Sequence, residues 1–329
     1  MSAEGVKAAD YEKLIRARLP GWLARRLEAS QVDLVSLQRL AGGYSSETWK
    51  IAYTYRKGHA SADAECVLRW GPEGGLGAPY DIPGQFRLLE ALEPTPVPAP
   101  APLWLETDRT ILGEPFLTMK VVPGTTGPRF FPLADPERDE KLRSYVRTLV
   151  TIHDLDWRHF GIDEVLGQPS AEDCARIALD DMVALVEQRG CSEDRRSKRA
   201  IDWLAERIPA RSEIKLTHGD PNISNYRFDG RSVVAVIDWE MAKLSDPLWD
   251  VGFYCGAIAK FYANQSQLIR DRERATFVDL YHEATGRSFA NLEYWEVLFT
   301  LRAASGSQLP EMRENRTPVY WEQLALLTA

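Results

Sequence analysis

The 329-residue chain contains no apolar run long enough to span a bilayer, so no membrane partner is expected. Its first residues, MSAEGVKAADYEK, lack the apolar core of a secretory signal. Cysteine is scarce: Cys66, Cys174, Cys191 and Cys255 are scattered without a CxxC pair. That spacing argues against a disulfide framework or a zinc ribbon, and it reads as reduced thiols in a cytoplasmic protein. An excess of positive charge is also missing. Forty Lys and Arg stand against 48 Asp and Glu, a net charge of −8, so nucleic acid is not expected as a partner. There is no GxxxxGK[ST] phosphate loop. GGLGAP (74–79) lacks the last glycine of a dinucleotide loop, and Pro79 and Pro83 argue against a helix after it. Internal repeats are absent as well. What remains is 44% hydrophobic and 27% charged residues, the composition of a globular chain with room for two lobes.

The first third reads mainly as strands. YEKLIRARLPGWLARRLEA has helical spacing, with a break expected at Pro20 and Gly21. VSLQRLAGGYSSETWKIAYTY reads as strand, glycine turn and strand, and AECVLRW as a further strand. GPEGGLGAPYDIPG holds five Gly and three Pro in fourteen residues and reads as a loop, followed by a short helix in QFRLLEAL. EPTPVPAPAP should be extended. PFLTMKVVPG reads as a strand closed by a turn. Beyond about residue 125 helical periodicity dominates, interrupted by YRFDGRSVVAVID, where Asp229–Gly230 marks a hairpin. The expected layout is a strand-rich N-lobe over residues 1–118, a hinge at 119–124, and a helical C-lobe at 125–329.

LTHGDPNISNYRF (216–228) sets a His, an Asp and two Asn within eight residues, and Asp238 follows Asn225 by thirteen positions in VVAVIDWEMA. Asp220, four residues and Asn225 reproduce the spacing of a kinase catalytic loop. Phosphoryl transfer needs a base or orienter for the attacking hydroxyl, and oxygen ligands for Mg²⁺. Asp220 can take the hydroxyl proton, while the Asn225 amide oxygen and the Asp238 carboxylate are hard ligands suited to Mg²⁺. His218 reads as a residue that braces the loop. A polar turn with a stray acid is the plain alternative. The full set of His, Gly, Asp and Asn arises by chance in on the order of one in a thousand chains of this length.

HGDPNISN followed by VIDWEMA resembles the aminoglycoside phosphotransferase family, which shares the protein-kinase-like fold with choline kinases. GGYSSETW, VLRW, GEPFLTMKVVPG and LSDPLWDVGF resemble that family's glycine turn, nucleotide-binding strand, hinge and the segment after the second acid. YHEATGRSFANLEYWEVLFTLRAA is similar to the subgroup that includes kinase-like domains fused to some acyl-CoA dehydrogenases. The likeness covers about residues 35–305. It implies a two-lobed α+β fold and transfer of the γ-phosphoryl group of ATP, or alternatively GTP, to a small-molecule hydroxyl. By match, Asp220 is the catalytic base, and Asn225 and Asp238 hold Mg²⁺. Gly42, Gly43, Ser45 and Ser46 cover the phosphates, Arg69 contacts them, and Met119, Lys120, Val121 and Val122 face the adenine. The acceptor is expected near Tyr281 and Trp295. Gln85 stands where the family has the Glu that pairs with the strand's basic residue, with Glu90 as a substitute, so Arg69 is expected to be loosely held without nucleotide.

Other features have plainer readings. His153 reads as a satisfied core histidine. Asp246 and Asp250 read as capping and bracing acids. Residues 154–194 carry eleven acids against three arginines, which suits a cationic substrate but suits solvated helix faces better. Two rival functions are a metal-dependent hydrolase built on His218, Asp220 and Asp238, and a catalytically silent nucleotide-binding module. The motif does not name the acceptor, and the subgroup likeness leans toward a hydroxylated metabolite over an aminoglycoside.

Overall fold

The structure is a computed structural model that describes residues 3–40, 47–71, 81–306 and 318–329, with side chains from residue 10 onward. The glycine turn with Gly42, Gly43, Ser45 and Ser46, and residues 72–80 of the Gly/Pro-rich stretch, lie outside the described residues. The chain divides into two compact units, Met1–Pro94 with Pro98–Val122, and Thr95–Val97 with Pro123–Ala329.

The first unit comprises α1 (Ala3–Leu27), β1 (Gln31–Arg39), β2 (Glu47–Lys57), β3 (Ala60–Trp70), α2 (Ile82–Leu92), β4 (Pro102–Glu106), α3 (Arg109–Leu112) and β5 (Phe116–Met119). The strands form one antiparallel sheet in the order β1-β2-β3-β5-β4. Helix α1 runs unbroken through Pro20, contrary to the break expected there. A proline inside a helix costs about 3 kcal/mol. Ile15, Leu19, Trp22 and Leu23 form an apolar stripe, each no more than 1% exposed, against the sheet. Their burial, at roughly 1.5–3 kcal/mol each, outweighs the lost hydrogen bond. Alternation along β3 sends Cys66, Leu68 and Trp70 to the α1 face and Val67 and Arg69 to the other face. Helix α2 begins at Ile82, inside the stretch read as a loop, with Asp81 Oδ1 capping Gly84 N at 2.8 Å. Pro83 therefore occupies the first turn, where a proline is tolerated, and it does not oppose a helix. Strand β4 and helix α3 carry too few apolar repeats to be legible beforehand.

The second unit holds β6 (Thr125–Thr126), α4 (Arg138–His153), α5 (Ile162–Leu166), α6 (Cys174–Gln188), α7 (Arg195–Ala205), β7 (Lys215–Thr217), β8 (Tyr226–Asp229), β9 (Ser232–Val236), β10 (Lys243–Ser245), α8 (Leu248–Phe261), α9 (Gln267–Thr285), α10 (Leu292–Gly306) and α11 (Val319–Leu327). Its strands make the antiparallel pair β10-β7 and the sheet β6-β8-β9. Helices α8 and α10 meet backbone to backbone at Gly252, where a Cβ would lie 2.7 Å from the Trp295 carbonyl carbon. Among the described residues no helix is long and apolar enough to cross a membrane.

Candidate active site

The segment between β7 and β8 is tied down at many of its backbone groups. Asp250, fully buried in the first turn of α8, accepts from His218 N at 2.8 Å and Gly219 N at 3.0 Å. Its Oδ2 also accepts from His153 Nε2 at 3.1 Å, leaving Nδ1 to accept from the Tyr281 hydroxyl at 2.7 Å. Trp249 Nε1 donates to Gly219 O at 3.0 Å, and the Tyr145 hydroxyl of α4 donates to Pro221 O at 2.6 Å. Gly219 has φ +81°, and a Cβ there would lie 1.9 Å from Met241 O. The loop therefore requires glycine at that position.

Asn225 Nδ2 donates to the backbone oxygen of Asp220 at 2.9 Å and approaches its Oδ2 at 3.3 Å. This orientation leaves the amide oxygen Oδ1 turned away from Asp220. Ile237 N donates to Asn225 O at 2.8 Å, which holds the start of the Asp238 turn against the loop. Asp238 lies two residues beyond β9, not on the strand end, and adopts φ 69° and ψ 57°. A left-handed non-glycine residue costs of order 1 kcal/mol and is typical of functional turns. Burial pushes the Asp220 carboxyl above the ordinary carboxylate range, and the Asp238 carboxylate acts the same way. His218, Arg302 and the Asn225 amide oppose them.

The structure brings Asp220, Asn225 and Asp238 to one loop cluster. His218 Nε2 faces Ile237 O at 3.0 Å, the bracing position read for it. Asp246 Oδ1 caps Leu248 N at 2.9 Å, and His153 is fully buried. Tyr281 and Trp295 are each 0% exposed, so these two side chains themselves present no surface to an acceptor. In the first unit Arg69 is 8% exposed on β3, Gln85 is half-buried on α2 and Glu90 is exposed. Met119 ends β5, Lys120 is exposed, and Val121 and Val122 are half-buried, with Val122 the last residue of that unit. Lys243 and Arg302, absent from the sequence-based list, border the same loop. Lys243 Nζ lies 3.4 Å from the Trp249 ring centroid, and Arg302 Nη2 lies 3.1 Å from Met241 Sδ.

A strand-rich unit, a mainly helical unit and the His-Gly-Asp-Pro-Asn loop define the class as a kinase-like α+β phosphotransferase fold. The chain belongs to the phosphotransferase enzyme family, whose model matches residues 36–295. It is 31% identical over 199 residues to mouse (Mus musculus) acyl-CoA dehydrogenase family member 10, covering 59% of this chain and 18% of that protein. It is 25% identical over 198 residues to human (Homo sapiens) acyl-CoA dehydrogenase family member 11, covering 57% and 24%. The chain thus spans about a quarter or less of the length of these two relatives. Among solved structures, a putative aminoglycoside phosphotransferase from Ralstonia eutropha superposes with a TM-score of 0.69 at 19% identity, covering 96% of this chain and 98% of that one. A thermostable mutant of aminoglycoside phosphotransferase APH(4)-Ia, in ternary complex with AMP-PNP and hygromycin B, gives a TM-score of 0.65 at 17% identity, covering 94% and 97%. These likenesses show the fold.

Proposed function

We propose that this protein is a cytoplasmic, ATP-dependent O-phosphotransferase acting on a hydroxyl of a small molecule, with GTP as the alternative donor. The observation that carries this reading is the cluster of Asp220, Asn225 and Asp238 on a loop whose backbone is braced by Asp250. The donor set fits Mg²⁺: an amide oxygen turned away from its neighbour and a carboxylate, both hard ligands, beside a second acid whose proton affinity the like charge raises. Bound Mg²⁺ would neutralise charge on the nucleotide phosphates, held by Asn225 and Asp238.

The roles of this chain's residues follow. Asp220 orients the acceptor hydroxyl and takes its proton. The acceptor oxygen forms a bond to the γ-phosphorus as the bond to the β,γ-bridging oxygen breaks, and that oxygen leaves with the electron pair on ADP. A raised proton affinity suits a base that must hold the proton after transfer. Asn225 keeps Asp220 from turning by bonding its backbone oxygen. By resemblance, Gly42, Gly43, Ser45, Ser46 and Arg69 contact the phosphates, and residues 119–122 contact the adenine within a hinge at 119–124 that joins an N-lobe (1–118) to a C-lobe (125–329). The test is calorimetric titration of the full chain with AMP-PNP, with and without Mg²⁺, followed by ATP consumption across hydroxylated metabolites and aminoglycosides. Mg²⁺-dependent AMP-PNP binding is expected, and a chain that binds no nucleotide refutes the reading.

A further inference from the structure

Two basic side chains stand against the Asp220 loop, and among the described residues neither has a salt bridge to an acid. Lys243 belongs to β10 and pairs across the sheet with Thr217, the residue that leads into His218, Gly219 and Asp220. Its Nζ caps the face of Trp249, and the Trp249 indole N–H bonds Gly219 O. Arg302 reaches in from α10 to Met241, whose backbone carbonyl presses on Gly219. The two cations therefore border one loop from two elements, and the Arg302 charge disfavours that of Lys243. Behind them, Arg189 Nη1 donates to Arg302 O at 2.7 Å and adds a third positive charge.

Asp220 and Glu240 favour the Arg302 charge, and Asp181 and Asp250 favour that of Lys243. Burial lowers the proton affinity of Lys243 to about 8, so the surroundings resist the charge that this position carries. A half-buried cation set against a second positive charge weakens a fold, and such arrangements persist where a ligand supplies the missing charge. A planar guanidinium beside an ammonium matches the geometry of a carboxylate or phosphate group.

We infer that Lys243 and Arg302 form the anion-recognising element of the acceptor site, and that the acceptor carries an oxyanion, a carboxylate or a phosphate, close to the hydroxyl presented to Asp220. This rests on the role proposed for Asp220. The same pair would repel a polycationic aminoglycoside, so it selects by exclusion as well as by attraction.

The test uses the full chain saturated with Mg·AMP-PNP, so that the nucleotide site is filled. Sodium acetate and sodium phosphate are titrated against sodium chloride at matched ionic strength, and melting temperature and calorimetric Kd are read. At least one anion is expected to bind and to raise the melting temperature, and the stronger of the two identifies the acceptor's charged group. Lys243→Met and Arg302→Gln should each weaken that anion roughly tenfold while AMP-PNP affinity is retained. Ligand-free Lys243→Met should melt at or above the parent temperature, because a poorly solvated charge beside a second cation has been removed while the side-chain contact with Trp249 is kept. The inference is overturned if neither anion exceeds chloride, if both variants keep the response, or if Lys243→Met melts several degrees lower, which would mark Lys243 as structural. Loss of AMP-PNP binding in the parent would refute the kinase reading instead, a separate outcome.

Discussion

Asp250→Asn probes the scaffold of the site with almost no change in volume. In the parent, Oδ2 receives His218 N at 2.8 Å and His153 Nε2 at 3.1 Å, while Oδ1 receives Gly219 N at 3.0 Å. An Asn can keep one oxygen in the Oδ2 position and must then point its amide hydrogens at Gly219 N–H. One buried donor is orphaned, at about 1–3 kcal/mol, and the two surviving bonds lose their charge assistance, at about 0.5–1 kcal/mol each. The expected loss is about 3 kcal/mol, or a fall of roughly 6–12 °C in Tm for a unit of this size. Gly219 precedes Asp220, so a shift of order 1 Å in the loop should also cut kcat by roughly 100-fold. Urea denaturation followed by tryptophan fluorescence measures the first quantity, and product formation measures the second. A stability loss under about 1 kcal/mol, with kcat intact, would show that Asp250 does not hold the loop.

Asp220→Asn should lower kcat by roughly 10²–10⁴-fold with calorimetric Mg·AMP-PNP affinity unchanged, and near-normal turnover removes Asp220 from the base role. Asp238→Ala should abolish turnover and weaken nucleotide binding only when Mg²⁺ is present; equal affinities in parent and variant count against the metal assignment. Asp246 is pushed up to about 6 by burial, above its unfolded value, so the folded protein favours the neutral form and this group costs stability as pH rises from about 4 through about 6. Asp246→Asn keeps an acceptor for Leu248 N and should gain on the parent by about 2–3 kcal/mol across that window, whereas parallel urea midpoints at both ends would show that burial does not tune this acid.

The sequence by itself determined whatever depends on neighbours along the chain. The spacing of Asp220 and Asn225 and the hairpin at Asp229–Gly230 are local, because a loop of a few residues can satisfy its own backbone groups in few ways. Bracing roles for His218 and Asp250 were legible for the same reason, since polar residues beside a constrained loop tend to bond its orphan amides. Only the tertiary structure decided the rest. Pro20 reads as a break until the burial of Leu19, Trp22 and Leu23 is set against its cost. That Tyr281 and Trp295 are fully enclosed was not legible either, because an aromatic on a helix face carries no mark of which partner covers it. Lys243 and Arg302 lie 59 positions apart on a strand and a helix. No periodicity links them, and they meet at one loop because β10 pairs with β7 while α10 packs on α8, contacts that exist only once the chain has closed on itself.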